Sequence, residues 1–277
     1  MRKLLCANFV RVFRSRVFWV CMAFLTGLGV LLSLSQYREL VQYGPGQASM
    51  NHIFFGYALV IGVPCAVFCS LFFGTEYSDG TIRNKLVVGH TRTGIYLANL
   101  ITCVAAVLLM CAAFLLAVCA VGTPLIGFLS GEPQPVVWIL LGSVMMTVAY
   151  CCLCITLSML CQNKAVAAVM AILGVFLLLL AATVINARLS APEFYNGYVF
   201  TDSLGNASSE SLPNPEYLRG TARAIYEFFY DFLPSGQGLQ YAKMEAAHLW
   251  QMPLYALGIS VVSTGVGLIL FRKKDLK

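Results

Sequence analysis

Six long runs of uncharged, mostly apolar residues follow one another along the chain: Val17–Ser35, Ile53–Phe73, Tyr96–Val121, Val136–Leu160, Ala165–Ile185 and Trp250–Phe271. A hydrocarbon layer about 30 Å thick takes roughly 20 apolar residues as a helix, so each run is long enough to cross one. The runs are continuous and not alternating, which predicts helices and argues against a transmembrane barrel. The third and fourth are long enough to tilt or to extend past the lipid. The first could be mistaken for a secretory signal, but its basic lead-in of 16 residues and its apolar stretch of 19 are both longer than a signal has. No clean small-x-small site follows it, so it reads as a retained helix.

The segments between the runs carry more information. Ahead of the first, Leu5, Phe9, Val12, Phe13 and Val17 follow helical spacing while Arg11, Arg14 and Arg16 add charge. Residues 1–16 predict an interfacial helix leading into the first span, and a simple basic anchor fits the same pattern. After the second run comes Gly74-Thr-Glu76-Tyr-Ser-Asp79-Gly80-Thr81-Ile-Arg83-Asn-Lys85, continuing to Gly89-His-Thr-Arg92. Asp79 and Arg83 are placed to pair if one helix runs through them, with Gly80 allowing a bend or a close backbone approach. A docking surface and a solvated loop are both consistent with this composition.

The segment 186–249 is the longest between runs. Its first half, through Pro215, is rich in Pro, Gly, Ser and Asn and reads as irregular. In the second half Leu218, Ala222, Ile225, Phe229 and Phe232 recur at three and four residues, and Arg223 and Glu227 can pair. This predicts an amphipathic helix on the membrane face or capping the spans, ended by Pro234-Ser235-Gly236. Asn206-Ala207-Ser208 fits a glycosylation sequon, a pattern short enough to arise by chance.

Composition agrees with the pattern. Apolar residues make up 59% of the 277 positions, charged ones 11%, and the mean hydropathy is +0.79. These values exclude an ordinary soluble domain. Charge then orients the chain. With the N-terminus inside, six spans return the C-terminus to the same side, and 13 of the 18 basic residues fall in inner segments while nine of the twelve acids fall in outer ones. The positive-inside rule selects that topology. It also accounts for the net charge of +6, which gives no case for nucleic-acid binding.

Candidate chemistry is mostly excluded. The eleven cysteines all fall in spans or inner segments, and the long outer loop, where a disulfide would persist, has none. Cys103, Cys111 and Cys119 recur every eight residues without His or carboxylate partners and read as small apolar packing residues. No predicted span contains Asp, Glu, Lys, Arg or His, which weakens an ion-coupled carrier. Ser143 lacks a buried base to activate it, because His52, His90 and His248 lie at or outside span ends, so intramembrane proteolysis is excluded. Asp79-Gly80 lacks the further aspartates of a CDP-alcohol phosphotransferase site. Gly89/Gly94 and Gly122/Gly127 have the spacing of a P-loop, but Ile95 and Phe128 follow where a Lys is needed to reach phosphate.

Glu76-Tyr-Ser-Asp79-Gly80-Thr81-Ile-Arg83 resembles the E-x-x-x-G-T-x-R pattern that follows the second helix of ABC type-2 permeases, the membrane subunits of bacterial ATP-binding-cassette exporters. The resemblance continues through Lys85-Leu86 and Thr91-Arg92. It extends to the basic N-terminus, the six spans and the large loop before the last span, where Leu233-Pro-Ser-Gly-Gln237 is similar to an element common in the family. The resemblance implies an all-α integral membrane protein with both termini cytoplasmic, in the bacterial cell membrane. It implies that a separate ATPase subunit binds the ATP, with no cofactor on this chain, and that a second permease subunit, identical or different, completes the pathway among the lipids. Glu76, Asp79, Gly80, Thr81, Arg83, Lys85 and Arg92 are then the candidate coupling positions, with the N-terminal helix near the ATPase. An amphipathic substrate, such as an antimicrobial peptide, drug or lipid, suits charge-free spans. An ion-coupled secondary transporter and a non-transporting scaffold or sensor remain as alternatives.

Overall fold

Apolar length dictates the architecture seen in the computed structural model, which describes residues 2–44, 49–129, 133–161, 163–195, 199–201, 207–209 and 212–274. Asn206 of the sequon lies outside the described residues. Among the described residues, six helical stretches are long and apolar enough to cross a membrane: Arg16–Tyr43, Asn51–Tyr77, Arg92–Ile126, Gln134–Leu160, Lys164–Leu189 and Gln251–Lys273. Each predicted run falls within one of them, except that Trp250 is the residue just before the last.

In chain order the helices are α1 (Arg2–Arg14), α2 (Arg16–Tyr43), α3 (Asn51–Phe54), α4 (Tyr57–Val60), α5 (Gly62–Ser78), α6 (Thr81–Val87), α7 (Arg92–Ile126), α8 (Pro133–Leu160) and α9 (Lys164–Leu189). Then follow β1 (Phe194–Tyr195), β2 (Val199–Thr201), β3 (Ala207–Ser209), β4 (Leu212–Pro213), α10 (Gly220–Phe232), α11 (Pro234–Lys243) and α12 (Gln251–Lys273). Side-chain caps explain two of the starts. Thr91 Oγ1 accepts from Gly94 N at 3.1 Å to open α7, and Asn163 Oδ1 accepts from Ala165 N at 2.9 Å to open α9.

The second span is the most enclosed of the six and the fifth the least. Phe68, Phe73, Cys65 and Cys69 of α5 pack with Met110 and Phe114 of α7 and Met146 and Ile155 of α8 in one buried core. This span is not one helix. It is interrupted at Phe55–Gly56 and again at Ile61, where Pro64 in the first turn of α5 lacks the N–H that would bond back to Val60. The notch so formed receives α11.

Two expectations for the 186–249 segment need correcting. The part read as irregular contains two short antiparallel ribbons, β1 with β4 and β2 with β3, in registers Phe194↔Pro213 and Val199↔Ser209. Strands of two or three residues are too short to show alternation. The amphipathic helix does end at Phe232, but Pro234 starts a further helix where it was read as a stop. Leu233 is extended (φ −71°, ψ 130°), as a residue before proline prefers, and Pro234 sits at the first helical position. The resulting α11 is buried from Pro234 to Gly238 and again at Gln240 and Tyr241, packed against α3, α4, α8, α9 and α10. It therefore enters the bundle instead of lying over it. Small residues let it in: a Cβ on Gly238 would stand 2.5 Å from the Ala58 carbonyl oxygen, and one on Gly142 would stand 2.3 Å from the Tyr241 hydroxyl.

Candidate functional site

Contacts among α1, the C-terminal ends of α5, α8 and α12 and the start of α7 put both chain ends, as far as described, at one end of the bundle. Most of the predicted site residues gather there around Glu76. Helix α5 runs five residues beyond Phe73, to Ser78, and so carries an acid that the predicted span left outside. The observed second span thus does contain a carboxylate, and it is neutralised in place.

The Glu76 side chain is fully buried. Arg11 Nη1 of α1 and Lys85 Nζ of α6 each lie 2.6 Å from its Oε1, and Asn99 Nδ2 of α7 donates to its Oε2 at 3.0 Å. Asn8 Nδ2 donates to Asn99 Oδ1 at 2.8 Å, and Lys85 Nζ reaches Asn8 Oδ1 at 3.5 Å. The Arg11 guanidinium also lies 4.2 Å from the Phe72 ring centre. Four helices are therefore tied to one carboxylate. A buried charge is tolerated only when paired and hydrogen-bonded, so this contact favours one relative placement of α1, α5, α6 and α7.

Two residues past Glu76, at Ser78, α5 ends. Gly80 is left-handed (φ +65°), a conformation that most side chains resist, and α6 begins at Thr81. Thr81 Oγ1 donates to the Glu76 carbonyl at 3.1 Å, using an acceptor left open at the end of α5. No single helix runs through Asp79 and Arg83: α5 ends at Ser78 and α6 begins at Thr81. Both are exposed, as are Val87 (87% exposed) and Val88 (76%) at the end of α6. Two valines open to this extent at the tip of a short turn were not singled out from the sequence, where they look like an extension of the apolar pattern.

Arg92 belongs to a different contact. It donates to the carbonyls of Phe271 at 3.3 Å and Arg272 at 2.9 Å, and also to that of Lys274. Lys274 Nζ in turn donates to the carbonyls of Met159 at 3.0 Å and Leu160 at 2.9 Å, while Tyr77 OH donates to Met159 O. Basic side chains thus satisfy the open carbonyl ends of α8 and α12, where the helix dipole is negative. Burial holds the Lys274 ammonium below the usual lysine range.

At the other end, the Leu233–Gln237 element seats α11. Asp231 is 5% exposed and accepts from Gln240 Nε2 at 2.9 Å, with His248 Nδ1 at 2.8 Å from its second oxygen. Gln237 Nε2 donates to the Asp231 carbonyl at 2.8 Å and the Met252 carbonyl at 3.0 Å, and Tyr150 OH lies 2.7 Å from Ser235 Oγ.

The structure therefore joins Glu76, Thr81 and Lys85, uses Gly80 as the turn, leaves Asp79 and Arg83 at the surface, and assigns Arg92 to the C-terminal helix. Asn8, Arg11 and Asn99 complete the cluster and were missed. Asn8 lies on the face of α1 buried with Leu4 and Val12; of the face traced through Leu5, Phe9, Val12, Phe13 and Val17, only Val12 is buried. What such an arrangement can do is mechanical: displacing α6 pulls on α1, α5 and α7 through one buried carboxylate. No curated protein matches the chain. The family model described as ABC-2 family transporter protein matches residues 4–193, from α1 through all of the first five spans and the whole Glu76 cluster. The chain belongs to the ABC-2 family of membrane transporter proteins.

Proposed function

We propose that the chain is the permease subunit of an ATP-binding-cassette exporter, with both termini cytoplasmic and its ATP bound by a separate ATPase subunit. The observation that carries this reading is the α5–α6 turn: α6 exposes Arg83, Asn84, Val87 and Val88 while its Lys85 is anchored in a buried ion cluster that links four helices. A partner pressing on α6 would move α5, α7 and α1 together, which is what coupling requires. Apolar tips flanked by charge are suited to a groove on another protein. In this reading Asp79, Thr81, Arg83 and the two valines face the ATPase, Glu76, Gly80 and Lys85 set the angle of the turn, and Arg92 holds the last span to the third.

A second permease subunit completes the pathway, and the cargo is amphipathic: a peptide, a drug or a lipid. An apolar groove of about 570 Å³ between α9 and α10, lined by Leu177, Leu180, Val184, Ile225 and Phe229 among others, suits the greasy part of such a molecule.

The test is co-purification with a co-expressed candidate ATPase, followed by the reversals Asp79→Arg and Arg83→Glu. Both should abolish binding and stimulation of ATPase activity without lowering the thermal midpoint of the permease, because neither side chain is buried. Undiminished binding and stimulation in both variants would remove the coupling role of this turn. Efflux that ignores ATP and collapses with an ion gradient would instead establish an ion-coupled carrier.

A further inference from the structure

Thiols from three separate helices converge inside the bundle. Cys65 and Cys69 lie one turn apart on α5, Cys103 on α7 and Cys151 on α8, and all four have no exposed surface. Cys65 Sγ is 3.7 Å from Cys151 Sγ and 3.9 Å from Cys69 Sγ, while Cys69 Sγ is 2.8 Å from Cys103 Sγ. The sulfurs of Cys65, Cys69 and Cys103 all lie within 4.8 Å of one another. Burial as a small apolar group explains any one of these residues. It does not explain four sulfurs meeting from three helices, in a group where sulfur is the only ligand atom.

We propose that Cys65, Cys69, Cys103 and Cys151 form a binding site for one thiophilic divalent d10 metal ion. With metal–sulfur bonds of about 2.3 Å, sulfurs in a tetrahedral site stand about 3.8 Å apart. Two of the observed separations already have that value within 0.1 Å; the Cys69–Cys103 pair must open by about 1 Å, and Cys151, which lies near Cys65 but outside the group of three within 4.8 Å of one another, must swing towards the other two sulfurs, movements that side-chain rotations supply. Soft sulfur donors without carboxylate or imidazole select soft ions over Mg²⁺ or Ca²⁺. Charge is balanced as well. One divalent ion displaces two thiol protons and is held and neutralised by the two thiolates so formed, the form that a low-dielectric interior tolerates, with the other two sulfurs beside it as weak neutral donors. The occupied site would clamp α5, α7 and α8 to one another.

The probe is Cd²⁺, added to the reduced, purified full-length chain in detergent and followed by desalting. The expected result is one retained ion per chain, with a thiolate-to-metal charge-transfer band in the ultraviolet. Both should be lost in C65S/C103S and kept in C119S, whose side chain is exposed. If the double variant does not fold, mapped alkylation of the native sequence during graded unfolding decides. Cd²⁺ should then slow the modification of Cys65, Cys69, Cys103 and Cys151 together, and leave the exposed Cys6 and Cys119 unchanged. The proposal is overturned by no ion retained, by equal retention in a folded C65S/C103S, or by alkylation that Cd²⁺ does not alter at those four positions.

Discussion

Glu76 is the residue on which most depends. Replacing it by Gln keeps the shape but leaves Arg11 and Lys85 facing each other without a counter-charge. Breaking a buried pair of this kind costs about 3–5 kcal/mol, and the lower end applies because both cations keep some access to solvent. Thermal unfolding of Glu76→Gln in detergent should show that loss as a lowered midpoint, and Asn99→Ala, which removes one donor to the same carboxylate, should show a smaller one. A midpoint unchanged in Glu76→Gln would mean that the ion cluster does not hold these helices. Tyr230 gives a pH-dependent counterpart. Its hydroxyl donates to Asn186 Oδ1 at 2.9 Å, and burial, with Glu245 and Asp231 nearby, pushes its pKa from 10 up to about 12. A pKa raised on folding means that the neutral form is preferred in the folded chain. The contribution is therefore complete below pH 10 and is lost as pH rises towards about 12. Phenolate absorbance should show one fewer tyrosine titrating late in Tyr230→Phe than in the native chain.

Among the elements, α11 is the one whose fit can be tested by a single atom. Gly238→Ala places a methyl 2.5 Å from the Ala58 carbonyl, where backbone and not a flexible side chain must yield. Overpacking of this kind costs about 1–3 kcal/mol or more, so a lowered midpoint or a lost folding yield is expected. Gly142→Ala should clash with Tyr241, and adding Tyr241→Leu should recover part of the loss. A double-mutant cycle with no coupling between those positions would show that they do not pack as described. The same helix marks where the sequence stopped being legible. The spans were readable because a bilayer demands long apolar runs, and the Glu76–Arg83 motif was readable because charge between such runs stands out. Helix α11 was not, since Pro234 begins a helix as readily as it ends one, and Ser235, Gly236 and Gly238 mark close packing only once their neighbours are known. Asn8 and Asn99 carry no signal for a related reason: an uncharged polar residue in an apolar stretch is silent until its partner is brought to it, and Asn8 meets Asn99 from 91 positions away while Asn99 meets the Glu76 carboxylate from 23.

For the whole molecule, the proposed orientation makes a separate prediction. A reporter that works only outside the membrane should be active when fused after Tyr217 and silent when fused at Lys274, with a cytoplasmic reporter giving the reverse. Equal behaviour at both positions would refute a shared side for the two termini. Coupling and stability should also separate across the molecule: surface changes at Arg83 alter partner activation alone, whereas changes at Glu76 alter both.

The seat of α11 also constrains how the protein is made. Gly238 meets Ala58 across 180 positions of chain, so the second span must wait, already in the membrane, with its notch open while the third, fourth and fifth spans are synthesised. In the proposed orientation residues 234–243 must cross the membrane before they can return into the gap, and only the last span then closes over Gln237 through the Met252 carbonyl. A chain that stalls after the fifth span would expose the backbone of Phe55–Ile61 to lipid with a helix missing from its side. Such a nascent chain would hold backbone groups at membrane depth without the helix that covers them, where unsatisfied groups are costly.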